Sequence, residues 1–212
     1  MFKQLRRAFW EYVKENLGIY TLVVLFFLAG IIMGSVLVRI LAESQLIELG
    51  TTISYFLESL KNGCSDLLLP GDLFKASFKK NILFHFTVWV LGFLWLGFPF
   101  VLFVLILKGI ALGFTTAFIV YRSSLKGLVF SLAALLPHNF FLVPAYILAS
   151  ATALTLSILK FKNRLGQRQV NRNKYHREYC YFMLIILILV VLGGLVEAYI
   201  TPVFMRMAIK LV

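Results

Sequence analysis

Between Gly127 and Leu159 the chain runs for 33 residues with no acidic or basic side chain apart from His138. A helix that crosses the hydrocarbon core of a bilayer needs about 20 apolar residues, so this run is too long for one plain crossing. Two prolines, Pro137 and Pro144, interrupt it. Each removes a backbone donor and crowds the turn before it, and in lipid the groups so released must find partners inside protein or at a wet cavity. The stretch therefore predicts a proline-broken membrane segment in which Pro137, His138, Asn139 and Pro144 serve function or a specific packing contact.

The rest of the chain agrees with a bilayer setting. Of its 212 residues 61% are hydrophobic and 14% charged, with a mean hydropathy of +0.91. Soluble domains are nearly half apolar and about a quarter charged. One polytopic, all-α domain over 1–212 is expected, because no polar linker is long enough to separate two.

The net charge of +12 raises nucleic acid as a partner, but the distribution argues against it. Lys3, Arg6, Arg7 and Lys14 precede the first apolar run, and seven basic residues fall in the segment 160–178. Basic clusters beside spans mark the cytoplasmic side and attract anionic lipid. No nucleic-acid partner is expected, and anionic lipid is. Cys64 and Cys180 fall on opposite sides of the bilayer in this arrangement, so no disulfide is expected. His85, His138 and His176 lie too far apart in sequence for a zinc spacing, and no metal or cofactor is expected.

Along the chain, residues 1–16 read as a basic amphipathic helix on the cytoplasmic surface. A first span follows from Leu17 to Ile40. The segment 41–80 is polar, and Arg39 through Lys80 holds five acidic and five basic residues, a neutrality that suits an extracytoplasmic loop. Within it Leu46, Leu49, Ile53, Leu57 and Leu60 step by three or four residues, which predicts an amphipathic helix ending at Asn62-Gly63. It would rest on the outer surface or offer Leu49, Ile53 and Leu57 to a partner. Pro70-Gly71-Asp72 reads as a turn, with Asp72 capping a short helix over Leu73–Lys80.

Ile82 to Tyr121 contains one formal charge, Lys108. The run divides into Ile82–Leu96 and Phe100–Tyr121 around Gly97-Phe98-Pro99, or it forms one tilted span to Leu107 followed by a short re-entrant piece. Gly30-x-x-x-Gly34 and Gly109-x-x-x-Gly113 are small-residue faces suited to close helix contact. The final span is expected over Tyr179–Ile200. About five spans result, with the amino terminus and 160–178 in the cytoplasm and the carboxyl terminus outside.

Ionisable residues at membrane depth are candidates for function. Here they are Lys108, His138 and Glu197. Glu197 would accept from His138 or Asn139 or pair with Lys108, while Lys108 would snorkel toward a surface. An intramembrane hydrolase built on Glu197 and His138 lacks a helical His-Glu-x-x-His or a second ligand set. A permease would use the broken segment as a substrate path, yet only one such interruption is present. A buried contact that fixes helix packing is the reading favoured for these residues, and no catalytic residue is expected.

Three segments resemble the signatures of a known family. Leu136-Pro-His-Asn-Phe-Phe-Leu-Val-Pro-Ala145, Lys108-Gly-Ile-Ala-Leu-Gly-Phe114 and Val196-Glu-Ala-Tyr-Ile-Thr-Pro202 look like those of stage II sporulation protein M, and the order of segments agrees along essentially the whole chain. Where that family often carries a glutamate ahead of the second proline, this chain has Leu142 and Val143. The resemblance implies a non-enzymatic membrane protein of endospore-forming bacteria that acts in engulfment. It also implies that the protein recruits the cell-wall hydrolases, stage II sporulation proteins D and P, to the septum and the migrating membrane.

Overall fold

The computed structural model describes residues 16–61, 70–165 and 172–211, and nearly all of them are helical. The amphipathic helix expected before Leu17 lies outside the described residues. Helix α1 spans Leu17–Ile40, as its unbroken apolar run predicts. Its buried positions, Val23, Phe27, Gly30, Gly34 and Val38, step by three or four and make one face. It ends where Leu41 turns to extended backbone. Helix α2 covers Glu43–Lys61; the stop expected at Asn62-Gly63 lies outside the described residues.

Helix α3 runs from Pro70 to Phe93 as one element, which corrects the expected turn and separate short helix. Proline suits the first helical position because its missing N–H would have no partner there. Asp72 lies in the first turn, not at a cap, where its charge complements the helix dipole, and it pairs with Lys75 at 3.4 Å in full exposure.

Helical geometry resumes at Gly97 and continues to Arg164. As a straight rod this run would be about 100 Å long. It is instead folded back on itself: Phe98 packs on Phe161 with ring centroids 5.7 Å apart, and Lys108 Nζ lies 4.9 Å from the Tyr146 ring. The direction reverses between Arg122 and Gly127, giving two antiparallel arms, α4 (Gly97–Arg122) and α5 (Gly127–Arg164). The break at Leu94–Leu96 favours two segments over the single tilted span. Pro99 falls in the first turn of α4, where it costs no internal hydrogen bond.

Pro137 and Pro144 both lie inside α5. The unwound backbone expected there is corrected: the helix passes through both. Membrane helices accept proline because neighbouring helices and local adjustments satisfy the released carbonyls. Pro144 is exposed and Pro137 half-buried, so neither ring is forced into the tightly packed side.

Helix α6 covers Arg172–Leu195, a π-helical segment covers Val196–Ile200, and α7 covers Thr201–Leu211. The end of the final span expected at Ile200 is also corrected, because helical backbone continues through Pro202 to Leu211. The Thr201 N–H reaches back five residues to the Val196 carbonyl, so the widened turn absorbs the proline without ending the helix.

Contacts fix the directions of these elements. Gly30 meets Ile106 and Gly34 meets Ile110, so α1 and α4 run parallel and the chain must return between them. Helix α3 makes that return. It runs alongside α5, with Asn81 at Tyr146 and Leu94 at Ser157, and against α6, with His85 at Met183 and Trp89 at Tyr179. Five segments (α1, α3, α4, α5, α6) thus traverse the bundle in alternating directions. Four stretches are long and apolar enough to cross a membrane: Leu17–Ile40, Gly97–Arg122, Gly127–Arg164 and Tyr175–Ala208. Helix α3 differs because Asp72, Lys75, Lys79 and Lys80 occupy its first half.

The core gathers on α5, whose Ala145, Ala149 and Ala153 are fully enclosed. Small side chains four residues apart let neighbouring helices approach closely. A second, smaller cluster joins Phe130 and Ala134 of α5 to Ala208 of α7 at the hairpin end.

Candidate functional site

Polar side chains meet inside the bundle where α3, α5 and the π segment converge. Ser77 and Asn81 lie one turn apart on the inner face of α3. Both are buried. The Ser77 hydroxyl donates to Glu197 Oε2. Asn81 Nδ2 donates to the same oxygen at 3.1 Å and to Ser77 Oγ at 3.1 Å. Tyr146 OH, from α5, donates to Asn81 Oδ1 at 2.6 Å. The amide of Asn81 is the hub: both its protons and its oxygen are engaged, and through it three elements share one network.

The π segment is what presents Glu197. Such single-turn widenings insert one residue into a helix and recur at functional sites. One turn further, Thr201 Oγ1 donates to the Val196 carbonyl at 3.2 Å and lies 3.3 Å from His138 Nδ1. A hydroxyl has one proton to give, so when Thr201 donates to Val196 it is His138 Nδ1–H that donates to Thr201.

Lys108 completes the surroundings. Its ammonium lies 4.9 Å from the ring centroids of both Phe84 and Tyr146, a cation–π contact on two faces. It stands eleven residues into α4, about 16 Å from Gly97, near the middle of the helix. The expected snorkelling to a surface is therefore corrected. The flexible stem lies among aromatic rings because Phe84 and Tyr146 themselves pack edge to face at 4.6 Å.

Sequence reasoning singled out Glu197, His138 and Lys108, and the structure places all three in this region. It does not join them as expected. Glu197 bonds Ser77 and Asn81 instead of His138, Asn139 or Lys108, and His138 turns to Thr201. Asn139 is half-buried and Pro144 faces outward. Leu49 is partly exposed on α2. Ile53 and Leu57 belong to the same helix, and their side chains lie outside the described residues. Ser77, Asn81, Tyr146 and Thr201 were missed. The signal was present in α3, where Ser77, Asn81 and His85 recur every fourth residue and so share one face.

That face is tied to its neighbours from Ser77 to Trp89. His85 Nε2 lies 3.2 Å from the Met183 carbonyl, and Tyr179 OH donates to the Trp89 carbonyl at 2.7 Å. Interhelical hydrogen bonds in membrane proteins contribute on average about 0.6 kcal/mol each, so the stripe as a whole is worth a few times that. Among the described residues no three His, Cys, Asp or Glu side chains group as a metal-ligand set. What the arrangement does chemically is bind helices: Ser77, Asn81, Tyr146 and Glu197 Oε2 partner one another across three elements.

The family model described as stage II sporulation protein M matches residues 18–202. No curated protein and no solved structure matches the chain. The matched region includes every member of the polar network, Ser77, Asn81, Tyr146 and Glu197, together with all five traversing helices. The chain belongs to the stage II sporulation protein M family of sporulation-related membrane proteins.

Proposed function

We propose that this protein is a membrane scaffold of engulfment, without an active site of its own, that holds peptidoglycan hydrolases at the septum and the advancing membrane. In this reading its partners are stage II sporulation proteins D and P. It resides in the plasma membrane with its amino terminus in the cytoplasm and its carboxyl terminus outside. Family membership supports the setting. The internal network supports a fixed platform, because its polar groups partner one another and leave Glu197 and His138 on separate contacts.

The observation that carries the reading is α2. It lies outside the four long apolar stretches and joins the bundle at its end, beside α7 and against the Arg122 guanidinium at Gly50. Ile47 and Tyr55 project from it at 59% and 67% exposure, with Leu49 at 38%. An amphipathic helix held against the bundle at Gly50, with outward apolar side chains, suits a helix-in-groove contact. The test is co-purification of the hydrolases with full-length protein carrying Ile47→Asp and Leu49→Asp. Partner recovery should fall about tenfold while the protein stays in the membrane fraction. Undiminished recovery would remove α2 as the docking face.

A further inference from the structure

At the opposite end of the bundle from the Glu197 network, the end of α3, the connection that follows it and the end of α5 leave a cavity of about 400 Å³ lined by Phe93, Trp95, Lys160, Asn163 and Arg164. We propose that it receives the phosphate headgroup of an anionic glycerophospholipid. Charge, shape and position each support this, independently of the scaffold reading.

Two cations face the cavity and both are held in place by aromatic rings. Arg164 Cζ lies 4.2 Å over the Trp95 ring, and Lys160 Nζ lies 5.0 Å over the Phe93 ring. Lys160 also donates to the Phe93 carbonyl at 2.9 Å, which satisfies the carboxyl end of α3 and fixes the ammonium at the cavity wall. Trp95 is braced in turn by stacking on Phe161, the planes only 6° apart.

Arg164 contacts Trp95 through the π system, and it has no hydrogen bond or ion pair among the described residues. Its five N–H donors form a planar fork that matches phosphate geometry. Asn163 adds a neutral amide beside it. Cavities of this size hold small ligands.

Position selects a lipid over a free anion. The cavity sits where the apolar windows of α4 and α5 end, with exposed Leu94, Trp95 and Leu96 around it. Tryptophan at that level marks the headgroup zone. A phospholipid there would place its phosphate on Arg164 and its chains along these apolar side chains, whereas inorganic phosphate would gain nothing from them.

The test uses full-length protein purified in neutral detergent, with lipid retention read by native mass spectrometry. Phosphatidylglycerol should be retained over phosphatidylcholine, and Arg164→Gln should weaken its retention about fivefold, the factor expected for one cation near anionic lipid. Lys79→Ala, in the first half of α3 and well away from the cavity, should change nothing. Thermal unfolding of Arg164→Gln that overlays the parent shows that the loss is local. If that variant is unstable, Asn163→Leu, which removes only the amide, should still lower retention. Equal retention of the two lipids, equal loss from the Arg164 and Lys79 variants, or displacement of the lipid by millimolar inorganic phosphate would each overturn the proposal.

Discussion

Two interfaces in this bundle hold helices together by opposite means. Between α1 and α4 the contact is nearly free of polar groups and is made by glycine. A Cβ on Gly30 would lie 2.6 Å from the Ile106 carbonyl oxygen, closer than atoms pack, so the two backbones touch with no side chain between them. Around α3 the contact is made by hydrogen bonds through Ser77, Asn81, Tyr146 and Glu197. Lipid chains are as apolar as leucine, so burial of oily surface cannot drive either association. One interface gains close van der Waals contact and the other gains polar partners. The difference lies in tolerance: a glycine seam has no room to yield, while a network can lose one member and keep the others.

That contrast predicts a ranking of mutational effects. Gly34→Leu should be the most damaging, because its neighbours are the backbone of Ile110 and Phe114 and neither can move aside. A loss of about 3 kcal/mol is expected, measured by denaturant unfolding in detergent. A variant as stable as the parent would show that α1 and α4 separate easily.

Asn81→Ala comes next, at about 2 kcal/mol, because it leaves the Tyr146 hydroxyl without its acceptor and takes one of two donors from Glu197 Oε2. A cycle combining it with Glu197→Gln should reveal a coupling of about 1 kcal/mol. Additive effects would mean that the two residues act apart and that the network is only a set of separate bonds.

Tyr146→Phe should be mildest, at about 0.6 kcal/mol. It removes the hydroxyl that reaches Asn81 but keeps the ring beneath Lys108. A larger effect in the same unfolding assay would move the weight of that residue from aromatic packing to its hydrogen bond.

Much of this fold was legible from the chain. The first span was readable to its ends because Leu17–Ile40 is uniformly apolar and closes on Arg39. The two glycine motifs pointed to close contact, though not to each other, since partners distant in sequence leave no local mark. Prolines mislead: the missing donors at Pro137 and Pro144 suggest a break, and in both cases the helix continues. Glu197 stood out because a carboxyl within an apolar run is costly. Ser77 and Asn81 did not, because they lie among Lys75, Lys79 and Lys80, where polar residues draw no notice until the helix is known to face inward. The partners of Glu197 were therefore hidden by ordinary neighbours.

The widened turn at Val196–Ile200 has a consequence for how this sequence can change. An extra residue rotates everything downstream by about 100°, and it lets Glu197 point toward α3 while Ala208 still meets Phe130 and Ala134. Deleting one residue there would restore an ordinary helix and force a choice between the two contacts. Lineages descended from this chain are thus free to exchange side chains along the last helix but not to shorten it, and alignment gaps between Gly194 and Thr201 should be rarer than gaps in the neighbouring loops.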